Sequence, residues 1–575
     1  MGKERKVKII SIFDVVFAAV LSVFSVLVYN VYLYHDFKFI SDGNLLNFFL
    51  KTLLFFVCFL GVAALTHFFE IKLNKWDYEI RIFEPGPRGV LKGTILISLC
   101  YLPVAVIFYP GVCSWDTINQ LNDYLTGTEP LWFDWIPGQE KVSAFLNDHH
   151  PVVDTFIFVF FYKAGELFGD LKIGIFLYSL SMMVSTAAAF SYMLCFINKL
   201  KIRLPRIPLL IFVLAHPVLS VYSFSMIKDS VFSMFFVWWF VIYISMLSLK
   251  TTKRRFIALL VLTFILVLTK KTGIYIVIPS NVALLFAKVR SDSKWRPFVV
   301  SSVIAPAILM FLILPKLVFP AANIYPGGKQ EMLGPLFQQS ARVEIDDPGH
   351  YQPEEKEVLR KVIDYDHIKE NYKYEVSDGI KDTYNLHAGS EDISAYLKLW
   401  SDTGLKKPLS YIKATIGNCG GLFTPAKKIA VHRSMTEQDL VQGMDNIGIF
   451  KPCREFYLKV VDTISGIPVI SFVFENVLFS FWIPLFFIVR SIKKKNRNSV
   501  ISMIPVIISV LLLIVSPITH IRYALPLVYC SPLLIALGLR LDRKISLTRS
   551  LTRPVKPNKL VSSISEDPDN GIQDE

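Results

Sequence analysis

Charge is scarce in this chain. Of its 575 residues, 19% are Asp, Glu, Lys or Arg, against about a quarter in an ordinary soluble protein. Compact catalytic motifs are missing as well. There is no glycine-rich phosphate loop, no His-Glu-x-x-His, no Gly-x-Ser-x-Gly and no Cys-x-x-Cys, so nucleotide-driven transport, zinc proteolysis and serine hydrolysis have no basis in the sequence. The seven cysteines are scattered. Cys58, Cys100, Cys195 and Cys530 fall in or beside apolar runs, where a buried thiol is the default. Cys113, Cys419 and Cys453 fall outside them, and a Cys419–Cys453 disulfide is an expectation conditional on an oxidising compartment. No Ala-x-Ala cleavage site follows the basic N-terminus, MGKERKVKIISIFDVV, which therefore reads as a retained anchor.

What is abundant is apolar surface. Apolar residues make up 53% and aromatics 14%, and runs of about 20 apolar residues recur, the length that crosses a bilayer as a helix. The chain reads as an all-α polytopic membrane protein of about twelve transmembrane helices. Expected spans are 9–34, 48–68, 91–109, 173–197, 207–223, 229–249, 256–270, 272–288, 297–319, 466–490, 499–518 and 522–540. The net charge of +14 argues for topology and not for nucleic acid, because the cations sit in short connections between spans. Starting from a cytoplasmic N-terminus, alternation puts Lys72 to Arg88, Lys199 to Arg206, Lys250 to Arg255, Arg290 to Arg296, Lys493 to Arg497, and Arg543 with Lys544 on one side, as the positive-inside rule requires. Both termini are then cytoplasmic in a multi-pass protein of the cell membrane. The agreement holds only if 152–169 does not cross. That stretch carries Asp154, Lys163 and Glu166 and reads as a surface helix in the interface.

The expected organisation is an N-terminal part with two helices (1–90), a transmembrane core (91–319) with an outer loop at 110–172, a small extracytoplasmic domain (320–465), closing helices (466–540), and a cytoplasmic, partly disordered tail (541–575). Within the outer domain, Glu354 to Lys373 reads as one helix from its i,i+4 charge pairs, and Asp346-Asp347-Pro348-Gly349 as a turn.

Several segments, in this order and on one membrane face, carry a family resemblance. They are Trp115-Asp116, His149-His150-Pro151, FFYKAGELFGD, AHPVLSVYSFSMIKDSVF (Ala215 to Phe232), LTKKTG (Leu268 to Gly273) and His520 to Pro526. Together they resemble the GT-C superfamily of integral-membrane glycosyltransferases, which use polyprenyl-phosphate-linked sugars. GPLFQQSARV (Gly334 to Val343) and Leu399 to Pro425 are similar to a bacterial branch of it. The chain departs from the pattern in having a single Asp after Trp115, and two spans ahead of the family-like core. The resemblance implies a polyprenyl-phosphate sugar donor, contact with membrane lipid, and an extracytoplasmic glycan or protein acceptor.

Each candidate residue also has a plainer reading. Asp116 is the expected catalytic carboxylate, which takes or orients an acceptor proton, with His149 as a candidate partner in holding a divalent cation; equally, Ser114, Asp116 and Thr117 are favoured helix starters. Asp229 is the expected second acid, or the cap of the next helix. His149 and His150 suit phosphate or a metal, or form a plain turn before a proline. Lys270 and Lys271 interrupt an apolar hairpin, where a cation needs an anionic partner or snorkels to the interface. Arg522, on the side opposite the topogenic cations, suits a phosphate bidentately, or anchors the interface together with Tyr523. Gln339 and Arg342 rest on the branch resemblance as substrate-binding residues. Trp238 and Trp239 read as packing or lipid-facing residues. A rival from another class is a transporter or lipid flippase; against it, no internal repeat of the transporter kind is evident.

Overall fold

The structure is a computed structural model that describes residues 10–38, 45–72, 80–127, 143–200, 206–249, 251–289, 295–327, 329–422 and 448–465, scattered positions between 467 and 492, and 497–540. In chain order come α1 (Ile12–Tyr34), α2 (Leu45–Lys72), α3 (Pro87–Ile107), α4 (Trp115–Thr126), strand β1 (Leu146–Asn147), α5 (Val152–Leu167) and α6 (Leu171–Lys199). Next are α7 (Arg206–Ala215), α8 (Pro217–Phe224), α9 (Lys228–Ser248), α10 (Lys253–Thr269), α11 (Gly273–Val289) and α12 (Arg296–Ile308). A π-helical run, Leu309–Val318, leads from α12 into α13 (Phe319–Ala321). Strand β2 (Ile324–Tyr325) precedes α14 (Gln330–Asp346), α15 (Pro353–Arg360), α16 (Ile368–Asn371), α17 (Asp378–Lys381), α18 (Ser390–Lys406), α19 (Pro408–Cys419) and α20 (Lys451–Ser465). Helices α21 (Arg497–Ile514) and α22 (Ile521–Arg540) close the chain.

Among the described residues, seven helices are long and apolar enough to cross a membrane: α1, α2, α3, α6, α9, the run Arg296–Ala321, and α22. With α7 and α8 as one bent pair and α11 and α21 as shorter apolar helices, the chain is an all-α polytopic membrane protein. Helices dominate because a backbone without water must satisfy its own hydrogen bonds. The 47° bend between α7 and α8 falls at Pro217, whose ring lacks the amide hydrogen that a continuous helix needs there. The expected windows fall on helices, except that 466–490 lies almost wholly outside the described residues, as do the Trp-rich segment 128–142 and the tail 541–575.

Burial orders the bundle. The apolar window of α9 is 89% buried and that of α22 83%, against 6% for α2, so α9 and α22 form the centre and α2 the rim. A helix apolar on every side belongs in such a centre, and its few polar groups tie neighbours together. Trp239 Nε1 donates to Thr263 Oγ1 at 3.1 Å, and the Tyr243 hydroxyl lies 3.1 and 3.0 Å from the carbonyls of Ser280 and Ile501. Trp239 is thus a packing residue.

Helix α5 turns Asp154, Phe158, Val159 and Tyr162 inward and leaves Phe156, Phe160 and Leu167 exposed. Its approach to α6 depends on glycine: a Cβ on Gly174 would sit 2.1 Å from the Phe161 carbonyl oxygen.

The segments that hold β1 and β2 meet. Strands β1 and β2 pair in parallel, Leu146 with Ile324 and Asn147 with Tyr325. The Ser377 amide donates to the Pro517 carbonyl at 3.0 Å, which ties the region after β2 to the loop before α22. That region has its own apolar cluster, with Phe337, Val343, Leu359, Ile363 and Tyr396. The expected turn follows α14, with Gly349 at φ +84°. The single helix expected over Glu354 to Lys373 is instead broken into α15 and α16. Val362 and Ile363 turn fully into the apolar cluster, and Arg360 closes the loop by bonding Glu357 and Asp366; burial there outweighs i,i+4 pairing worth a few tenths of a kcal/mol (about 0.2–0.5).

Candidate functional site

Four helices begin around one point. Helix α4 starts beside Asp116, α5 follows His150-Pro151, α9 starts at Lys228, and α22 starts with Ile521-Arg522. Lys270 and Lys271 sit in the turn between α10 and α11. A helix start carries positive partial charge and favours acids. Asp116 and Asp229 fit that rule, and neither is the cap: Ser114 Oγ caps α4 by accepting the Thr117 amide at 3.3 Å, and Ile227 precedes α9 without a side-chain cap. Lys228 and Arg522 run against the rule, because a cation in the first turn opposes the helix dipole. Carboxylates from other helices hold them there.

Lys228 Nζ lies 3.1 Å from Asp116 Oδ2 and 2.7 Å from His150 Nδ1. Arg522 Nη1 donates to the same Asp116 oxygen at 3.3 Å, and its Nε lies 3.9 Å from Asp229 Oδ2. Lys270 pairs with Asp229, which is fully buried. Arg522 Nη2 donates to the Tyr523 hydroxyl at 3.2 Å, and Lys270 lies 5.4 Å from the Tyr523 ring centre. Three cations, Lys228, Lys270 and Arg522, thus share two carboxylates, Asp116 and Asp229. This inner cluster carries one surplus positive charge, and most of it is withdrawn from water.

A rim surrounds it. Lys271 turns away from Lys270 and pairs with Asp148, 2.7 Å from its Oδ2. His149 Nε2 stands 3.8 Å from Glu331, whose carboxylate also takes Lys381 at 2.7 Å. The two histidines and the two lysines, indistinguishable in the sequence, are therefore divided. His150 and Lys270 face the inner cluster, while His149 joins the rim to α14 through Glu331 and Lys271 joins the α10–α11 turn to the loop before α5 through Asp148.

Protonation follows from this geometry. Burial alone would raise the Asp116 carboxyl, but Lys228 and Arg522 outweigh it and hold Asp116 well below the usual carboxylate range. Burial, with the adjacent Lys228 charge, pushes His150 far down, so its ring is neutral and accepts from Lys228. Burial lifts Asp148 despite Lys271. Burial also lifts Asp154 far above the usual range; this side chain is wholly inaccessible, and neither of its oxygens has a hydrogen-bond partner among the described residues.

Other expectations are corrected here. Gln339 and Arg342 are committed elsewhere. Gln339 bonds Thr415 at 3.0 Å and accepts from Trp400 at 2.9 Å; Arg342 bonds Asp346 at 2.9 Å and the His35 carbonyl at 2.6 Å. Both secure α14 to its surroundings, and neither joins the cluster. The Cys419–Cys453 disulfide is not formed: both thiols are free, Cys419 buried and Cys453 exposed. A divalent cation held by Asp116 and His149 does not fit the donor set. Asp116 is flanked by two cations, His149 pairs with Glu331 instead, and no group of three metal-ligating side chains occurs among the described residues.

Two charged residues, one in the cluster and one buried beside it, went unselected in the sequence. Lys228 had a readable signal, a lysine opening an apolar helix at its unfavourable end. Asp154 looked like one of the solvated charges of a surface helix, and only its burial distinguishes it.

No curated protein and no solved structure matches the chain. Residues 136–550 match a protein family described as a family of unknown function (DUF6020), a stretch that includes Lys228, Asp229, Lys270 and Arg522 and leaves Asp116 upstream. That match covers well over half of the chain, which therefore belongs to this family.

Proposed function

We propose that the protein is a membrane glycosyltransferase of the GT-C kind, which moves one sugar from a polyprenyl-phosphate donor to an extracytoplasmic cell-wall polymer, glycolipid or protein. The observation that carries this reading is the inner cluster: three cations sharing two carboxylates where four helix starts converge. Buried cations need an anion, and helix starts favour one. A lipid phosphate suits both needs while its tail stays in the bilayer. In the transfer, the bond from the anomeric carbon to the phosphate oxygen breaks and the electron pair leaves with the lipid phosphate. The anomeric carbon then bonds the acceptor oxygen, whose proton passes to a carboxylate. Lys228, Lys270 and Arg522 stabilise the leaving phosphate as its charge grows. Asp116 is a weak base while Lys228 and Arg522 hold it. The phosphate draws those cations away and frees Asp116 to take the acceptor proton, and Asp229 keeps Lys270 and Arg522 in place.

The finer topology belongs to the same proposal: about twelve crossings, cytoplasmic termini, a small outer domain at 320–465, and the cluster on the extracytoplasmic face. It is supported by the path of α9 and α10, which run from the cluster at Lys228 to Thr252 and back to Lys270. Cysteines introduced at Asn147 and Glu370 are expected to react with an impermeant maleimide in intact cells, and one at Thr252 is not. Labelling at Thr252 contradicts this orientation.

Deletion of the gene tests the function in the cell. An envelope glycan should lose a sugar, to be restored by the wild type and not by an Arg522→Ala variant produced at equal level. Unchanged glycans after deletion count against the proposal and favour a transporter.

A further inference from the structure

Asp154 has no part in the scheme above, yet it is the most unusually placed titratable group in the molecule. It lies in the first turn of α5, wholly buried, with both carboxyl oxygens unbonded among the described residues. An ionised carboxylate so placed is strongly disfavoured unless it is paired. Its charged surroundings are those of the inner cluster. Asp116 starts the adjacent α4, Lys270 closes the adjacent α10, and Lys228 with Asp229 start α9. The Tyr178 phenol of α6 interacts with it electrostatically, and His150 precedes its own helix. Lys228, Asp229 and Lys270 all interact with it electrostatically.

The charge of the site depends on this one proton. With Asp154 neutral, Lys228, Lys270 and Arg522 exceed Asp116 and Asp229 by one positive charge. With Asp154 ionised, three acids face three cations and the surplus is gone. We propose that Asp154 is the proton-bearing member of the anion site, so that a phosphodiester monoanion binds only while Asp154 carries its proton. Binding at a pH where free Asp154 is ionised then takes up one proton from solvent, and binding at lower pH takes up none. The inference rests on the lipid-phosphate reading above and adds to it the charge of the preferred ligand: a monoanionic diester, as in a sugar-bearing lipid phosphate.

The test uses the full-length purified protein in detergent and the methyl diester of a short-chain polyprenyl phosphate, which bears one charge throughout the range and has no sugar to transfer. Affinity is measured by calorimetry between about pH 5 and about pH 9 for the wild type and for Asp154→Asn, which is permanently neutral and nearly isosteric. Wild-type affinity should fall on the alkaline side, approaching tenfold per pH unit for one linked proton, while the variant binds with little change. Repeating the wild-type titration in buffers of different ionisation enthalpy should show proton uptake on the alkaline side, an observation that needs no variant to fold. Parallel pH profiles for the two proteins, a folded variant that binds at no pH, or wild-type binding without alkaline proton uptake overturns the role of Asp154. No wild-type binding at any pH defeats the lipid-phosphate reading itself, and the Asp154 proposal with it.

Discussion

Replacing Asp116 with Asn should abolish sugar transfer while leaving a protein that purifies as a single folded species. The side chain is held by Lys228 at 3.1 Å and Arg522 at 3.3 Å, and it is the carboxylate assigned to the acceptor proton. An amide of the same shape keeps the packing and cannot take that proton, so a loss of about 10²–10⁴-fold in turnover is expected. The accompanying stability change has a defined pH course. Folding holds the Asp116 carboxyl below its unfolded value, which is about 3.9 for a free Asp. Its stabilisation is therefore complete above that pH and is lost as pH falls through the folded-state value. The gap in melting temperature between wild type and Asp116→Asn should stay constant across neutral pH and close only in strong acid. Retained transfer removes Asp116 from the chemistry.

Asp229→Asn should damage the fold more than any other change in the cluster. Asp229 is fully inaccessible, paired with Lys270 and 3.9 Å from the Arg522 guanidinium. Its removal leaves the largely buried Lys270 without its acid, and leaves Arg522 to share Asp116 with Lys228. Breaking a buried pair by deleting one partner costs about 3–5 kcal/mol, and the surplus charge rises from one to two. The measurement is thermal unfolding in detergent, followed by a size-exclusion profile. Combining Asp229→Asn with Lys270→Met removes both charges and should recover much of the lost stability, as an apolar replacement of a whole buried pair often does. If the double variant is no more stable than Asp229→Asn alone, the pairing of Asp229 with Lys270 is not what holds this end of the bundle.

The all-α polytopic membrane character was legible in the sequence, because a span is a local property: about 20 apolar residues announce themselves wherever they fall. The site was half legible for a related reason. Asp116, Asp229, Lys270 and Arg522 stand out because each interrupts or borders an apolar run. Which groups they touch is set by contacts such as Asp116 to Arg522, 406 residues apart, and nothing local encodes those. The twin residues show the limit. His149 and His150, like Lys270 and Lys271, differ only in the direction each leaves the backbone, and that is settled by how α5 and the α10–α11 turn pack. Asp154 was misread because charge in a short amphipathic helix usually faces water, whereas here α4, α6 and α10 cover it. Gln339 and Arg342 lie apart from the cluster, bonded within and around α14, and a polar motif looks the same whether it binds a substrate or fastens one helix to another.

The central claim is that the cluster acts on a lipid-linked sugar phosphate, and it is tested most directly with purified protein. A set of polyprenyl-phosphate monosaccharides labelled in the sugar is supplied together with envelope extract as acceptor, and the label is followed as it leaves the lipid. The account predicts that wild-type protein releases or transfers label from at least one member of the set, and that Asp116→Asn does not. Label remaining on every lipid with folded wild-type protein, or leaving as fast with Asp116→Asn as with wild type, contradicts it.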